Sequence, residues 1–346
     1  MTNTDCSRNV FFFGAGFSKS INSAYPTLHE LSTEINNSYQ TETSFIANYL
    51  HSEISEKHKE NIEKLLTYLS ADLPYKTSVQ SFTDKALYKD ISNKIATYFN
   101  NKPQCTDLNN YSTEISQFMN FILDDRSTCI TLNYDILLEQ LLNLCASIKN
   151  KRIDFIDLYN APLTELNPAG NIQVWGMGDP EPISRDCLPD IIKLHGSINW
   201  GNTENNGNLI YHIKDGDEDY RKSHLQTYII PPVLDKTIFY SNHVLKAIWQ
   251  RAYEKLSNAK NIYIYGFSFP ETDYSIRFLF QSALRNNTDC KVYVVNRAEN
   301  LPELRSRYEK IFSPIQCNFE CCKDGMQMRC LMQTISNNNA SEVSND

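Results

Sequence analysis

The sequence predicts an α/β fold: a doubly wound, Rossmann-like parallel sheet with a helical insertion or cap. Three observations lead there. Short β-rich runs are almost continuously apolar, as strands buried on both faces of a parallel sheet must be. Stretches with helical spacing separate them, which gives the strand–helix–strand order of a doubly wound core. Small or polar residues then come after one strand after another, at the edge where such a sheet places its ligand.

The predicted strands are 9–13 (NVFFF), 128–132 (TCITL), 190–194 (DIIKL), 226–230 (QTYII), 261–265 (NIYIY) and 291–295 (KVYVV). Between the first two lies a helical insertion or cap over 36–124. Just before it, Thr27 followed three residues on by Glu30 spells a capping box. Ile62, Leu65, Leu66 and Leu69 fall on one helical face inside the insertion. The segment 141–189 holds Pro162, Pro168, Pro180 and Pro182 with Gly170, Gly176 and Gly178, and reads as an irregular excursion. Residues 241–256 predict a helix leading straight into the strand at 261–265. The whole reads as one domain over 1–335, with 336–346 a disordered tail.

With 346 residues, 41% of them hydrophobic and 12% aromatic, the chain can bury a large core. A net charge of -8 argues against direct nucleic-acid or anionic-membrane binding, both of which need a positive surface. No apolar run approaches a membrane span, and MTNTDCSRNV lacks the charged and apolar regions of a leader, so a cytoplasmic location is expected. Ten cysteines are then expected to be mostly reduced. None forms a C-x-x-C pair, and Cys317, Cys321, Cys322 and Cys330 fit no metal-ligand spacing, so buried thiols and no metal are expected.

The candidate site lies in the loops at the carboxyl ends of the strands. Gly14-Ala15-Gly16-Phe17-Ser18 comes after the first, Asn133-Tyr134-Asp135 after the second and His195-Gly196 after the third. Gly266-Phe267-Ser268 comes after 261–265, and Asn296-Arg297 after 291–295. Each has two readings. Gly14 and Gly16 permit a tight turn, or let backbone approach a phosphate at a helix start. Asn133 and Asp135 are helix caps or ligand contacts. His195 is a core histidine or a general base, since an imidazole titrates near pH ~6.5. Asn296 begins a turn, or hydrogen-bonds a ribose or adenine.

GAGFS, TLNYD, KLHGSINW, YGFSFPETD and VVNR, in this order, resemble the sirtuin-like branch of bacterial NAD-consuming proteins. The resemblance spans residues 9 to about 300, outside the helical insertion. It departs from protein deacylases in two places. No four-cysteine zinc module comes after the His-Gly motif, and KSINSAYPT replaces the loop that closes over NAD. The departures resemble the sirtuin-like domains of anti-phage systems, which hydrolyse NAD.

The resemblance therefore implies an NAD+ glycohydrolase releasing nicotinamide and ADP-ribose, with NAD+ as substrate and no metal. His195, Asn133 and Asp135 would be catalytic. Gly14, Ala15, Gly16 and Ser18 would cradle the pyrophosphate, and Gly266, Ser268 and Asn296 would hold the adenosine half. Implied partners are further copies of the chain, a hexameric helicase-type ATPase or an Argonaute-like protein, with 36–124 the candidate contact. The alternatives are a sensor that binds NAD or ADP-ribose without cutting it, and a deacylase or ADP-ribosyltransferase.

Overall fold

The computed structural model describes residues 7–55, 59, 61–165, 181–203, 209–213, 225–233, 240–270, 273–297, 301–322 and 326–343. Its centre is β1 (Asn9–Phe13), whose three consecutive phenylalanines are all 0% exposed. Alternation explains why three in a row are needed. Phe11 and Phe13 meet Phe118 on one face at 5.2 and 6.3 Å, and Phe12 meets Phe267 and Phe280 on the other at 5.3 and 5.0 Å.

Around β1 run β2 (Thr128–Thr131), β6 (Asp190–Lys193), β10 (Asn261–Tyr265), β11 (Lys291–Val295) and β12 (Cys317–Asn318). The order is β12-β11-β10-β1-β2-β6, and every pairing is parallel. This is the doubly wound order in which β1 and β10 flank the point where the winding reverses.

The connections supply the layers. After β1 come α1 (Ala15–Ile21), α2 (Leu28–Tyr39), α3 (Phe45–Glu53), α4 (Ile62–Ser70), α5 (Ser78–Asn100) and α6 (Thr113–Asp125). The Thr27–Glu30 capping box forms at the start of α2, and a second, Thr77 with Gln80, starts α5. Ile62, Leu65, Leu66 and Leu69 are buried together along α4. After β2 come α7 (Leu137–Ile148), β3 (Lys151–Arg152), α8 (Phe155–Tyr159), β4 (Thr164–Glu165) and β5 (Glu181–Pro182). Residues 166–180 of the predicted excursion, with Pro168, Gly170, Gly176, Gly178 and Pro180, lie outside the described residues.

A second sheet comes next, built from β7 (Gly196–Asn202), β8 (Tyr211–His212) and β9 (Gln226–Ile229) in the order β4-β8-β7-β9. Then come α9 (His243–Ser257), α10 (Tyr274–Ala283), α11 (Leu301–Phe312) and α12 (Gln327–Val343). Phe118 places α6 on the Phe11 face, where α7 and α12 pack beside it. Phe280 and Phe312 place α10 and α11 on the opposite face.

Three expectations need correction. The strand expected at 226–230 is not in the parallel core. It is β9, antiparallel to β7 in the second sheet, and its first two residues are only half-buried. The sixth core strand is instead the short β12, where Asn318 pairs with Tyr293. The tail expected from 336 continues α12 to Val343, held by Asn338, which donates to the Tyr263 hydroxyl at 3.0 Å and accepts from the Tyr293 hydroxyl at 3.0 Å. Only 344–346 fall outside the described residues. Of the crowded cysteines, Cys321 and Cys330 form a disulfide, while Cys317 and Cys322 are free. Among the described residues, no helix is long and apolar enough to cross a membrane.

Candidate functional site at the carboxyl edge of the sheet

At the reversal point, the loops after β1 and β10 lie backbone against backbone. The Gly14 amide donates to the Tyr265 carbonyl and the Gly16 amide to the Gly266 carbonyl, each at 3.0 Å. A β-carbon on Gly14 would lie 2.6 Å from the Gly266 oxygen, and one on Gly266 would lie 2.3 Å from the Phe17 nitrogen. Gly266 also has a φ of 67°, a region costly for any residue with a β-carbon. These glycines therefore serve loop-to-loop contact.

That alters the expected phosphate cradle. The Gly14 and Gly16 amides are occupied, and the Phe17 amide donates to the Gly14 carbonyl at 2.9 Å. The exposed Ala15 supplies the first-turn N–H with no partner among the described residues. Ser18 is 2% exposed, and its hydroxyl donates to the Asp135 carboxylate at 2.9 Å rather than outward. Lys19, the departure from the deacylase loop, bonds Glu30 at 2.6 Å and the Ser23 carbonyl at 3.0 Å. It thereby clamps the adjoining loop to the α2 cap.

The second strand end is organised by side chains. The Asn133 amide nitrogen donates to the Gly14 carbonyl at 3.1 Å and to Ser18 Oγ at 2.9 Å. A carbonyl only accepts, so the amide orientation is fixed and both its protons are used. Asn133 Oδ1 is left as an acceptor with no partner among the described residues. Ile136 is the N-cap of α7 and makes no side-chain cap bond; Asp135 Oδ1, just before it, accepts from the Leu137 amide at 3.1 Å, so neither Asn133 nor Asp135 is the N-cap residue. Burial pushes the Asp135 carboxyl above its ordinary value. Lys193 and the Ser18 hydrogen bond pull the other way, and Glu139 adds to the rise.

His195 sits at the neighbouring strand end and is 6% exposed. Backbone joins the two ends: Ile198 donates to the Tyr134 carbonyl at 2.9 Å, and Ile230 donates to the His195 carbonyl at 2.8 Å. The Tyr134 hydroxyl donates to the Ile230 carbonyl at 2.7 Å, and its ring lies edge-on to Phe99 of α5 at 5.7 Å. The insertion thus borders this edge. Gly196, with a φ of 79°, turns the chain directly into β7, so the expected His-Gly loop is a sharp corner between two strands.

On the other side of the reversal point, Asn296 donates to the Phe267 carbonyl at 3.2 Å, and the Tyr308 hydroxyl donates to the same oxygen at 2.7 Å. The Ser268 carbonyl accepts from Arg307 at 3.3 Å. Gly266, Ser268 and Asn296 are therefore one braced loop cluster.

Sequence reasoning missed a buried polar chain beneath Asn133 and His195. Lys193 Nζ donates to the Asp135 carbonyl at 2.5 Å and pairs with Glu139 at 3.0 Å, both side chains being 1% exposed. Tyr159 donates to Glu139 at 2.9 Å, and Asn199 donates to Tyr159 at 2.8 Å. The signal was present: a lysine inside the apolar run DIIKL demands a buried partner.

The sequence matches no protein-family model and no curated protein. Among solved structures the chain is similar to sirtuins. One, from a study of sirtuin substrate affinity, shares 12% identity over 95% of this chain and 93% of that one, with a TM-score of 0.41. A Sir2 with p53 peptide and NAD+ shares 12% over 95% and 93%, with a TM-score of 0.40. A mutant Sir2 homologue with ADP-ribose shares 13% over 95% and 94%, with a TM-score of 0.42. The α/β assignment itself rests on the strand order and direction of the six-stranded parallel sheet.

Proposed function

We propose that the chain is an NAD+ glycohydrolase, converting NAD+ and water to nicotinamide, ADP-ribose and a proton. By its motifs, it would be the toxic effector of a bacterial anti-phage system, acting in the cytoplasm. Control would come from self-assembly, a hexameric helicase-type ATPase or an Argonaute-like partner.

The observation that carries the reading is the fixed Asn133 amide. With both protons committed to Gly14 and Ser18, it offers an oxygen at the carboxyl edge, one strand from His195. Cleavage of the nicotinamide bond develops positive charge on the ribose and needs an oriented water. An amide oxygen accepts from that water or from a ribose hydroxyl. Asp135, behind Ser18, opposes the developing cation, and His195 takes the proton from water. Ala15 offers its N–H to the pyrophosphate, while Gly14, Gly16 and Ser18 shape that wall. Gly266, Ser268 and Asn296 receive the adenosine half.

Nicotinamide release measured on the purified protein, with its activating partner where one is needed, tests this. His195→Ala and Asn133→Ala should each lower release by about a hundredfold or more with the fold intact. Full turnover by both would overturn the site. A second reading, binding without cleavage, is favoured by the burial of His195. It predicts NAD+ or ADP-ribose binding by the wild type with no nicotinamide formed.

A further inference from the structure

We propose that the buried Lys193–Glu139 pair is the positioning unit of this edge, fixing the Asn133–Asp135 turn relative to the end of β6. The proposal rests on the glycohydrolase reading for its kinetic readout, and on geometry for the rest.

Lys193 lies on β6 two residues before His195, and its ammonium reaches across to the main-chain oxygen of Asp135. That carbonyl belongs to the turn whose two polar side chains bracket Ser18. Glu139, one turn along α7, neutralises the ammonium and is held in turn by Tyr159 and Asn199. Asn199 is also 3.3 Å from His212 Nε2 on β8. One continuous chain therefore runs from the second sheet, through the helix after β2, to the backbone that presents Asn133.

A buried ion pair rarely adds net stability over apolar residues of equal size. Its contribution here is directional. The ammonium holds one carbonyl at a defined distance, which an apolar side chain cannot do. Lys193 also faces the Asp135 carboxylate electrostatically, together with Glu139 from α7, Ser18 from α1 and Tyr25 from the loop before α2.

The test compares Lys193→Met, Lys193→Arg and the double variant Lys193→Met with Glu139→Met. The double variant removes both charges at similar volume, so it should fold as well as the wild type. Positioning predicts that its kcat for nicotinamide release falls tenfold to about a hundredfold with KM little changed. It also predicts faster amide exchange through residues 133–137. In Lys193→Met alone, loss of the positive charge should move the acidic limb of the pH–rate profile to higher pH, with Lys193→Arg partly restoring it.

A double variant with wild-type kcat and wild-type exchange overturns the proposal. If the wild type releases no nicotinamide, the glycohydrolase reading fails instead. The exchange comparison then decides the positioning role alone: faster exchange upholds it, and unchanged exchange overturns it.

Discussion

The two junctions at the carboxyl edge solve the same packing problem with opposite chemistry. Between β1 and β10, Gly14, Gly16 and Gly266 bring backbone onto backbone, and amide–carbonyl bonds close the seam. Where β2 meets β1 and β6, the seam is filled by Asn133, Ser18, Asp135, Lys193 and Glu139, joined side chain to side chain and side chain to backbone. The first junction is intolerant of atoms, because its geometry depends on missing β-carbons. The second is intolerant of unpaired charge, because its geometry depends on each donor meeting an acceptor.

The largest effect should come from adding one carbon to the first junction. Gly266→Ala places a β-carbon 2.3 Å from the Phe17 nitrogen on a backbone with a φ of 67°. Overpacking and the left-handed conformation together should cost roughly 3 kcal/mol or more, read as a lower midpoint in urea. A variant as stable as the wild type would show that the seam can open without loss.

Removing one hydroxyl from the second junction should act differently. Ser18→Ala strands one Asn133 proton and one Asp135 oxygen, at a cost of about 1–3 kcal/mol. With Asn133 then held through the Gly14 carbonyl alone, nicotinamide release should fall about tenfold. The lost hydrogen bond also raises the Asp135 carboxyl further, so any limb that depends on its ionised form shifts to higher pH. An unchanged profile and rate would detach Ser18 from the site.

The smallest effect lies at the clamp beside the glycine seam. Lys19, then the Thr27 amide, hold the Glu30 carboxyl down from its ordinary 4.5 to about 2. A depressed carboxyl contributes stability that is fully present above pH 4.5 and lost as pH falls toward 2. Its side chain is 45% exposed, so screening reduces the contribution to about 0.5 kcal/mol. Glu30→Gln should remove that increment of acid dependence. Identical unfolding curves for both proteins from pH 6 to about pH 2 would show that the clamp is idle.

The two junctions also differ in how much of each was legible in sequence. Five core strands could be read, because a strand buried on both faces is a nearly continuous apolar run, as NVFFF and KVYVV are after their polar first residues. QTYII has the same texture and lies elsewhere, since composition reports burial and not the partner sheet. Gly14, Gly16 and Gly266 were legible as positions where backbone comes close, but not as positions where it meets other backbone. Lys193 went unremarked because its partner Glu139 is 54 residues away in sequence.

The sequence by itself determined the alternation of strand and helix, the capping box at Thr27 and the polar strand ends. Each depends on neighbours within a few residues, where spacing and side-chain chemistry suffice. Tertiary structure decided the rest: the order β12-β11-β10-β1-β2-β6, the consumption of the Gly14 and Gly16 amides by β10, and the orientation of the Asn133 amide. Those depend on groups distant in sequence, as Asn133 and Gly14 are at a separation of 119 residues, and only the closed sheet brings donor and acceptor within reach.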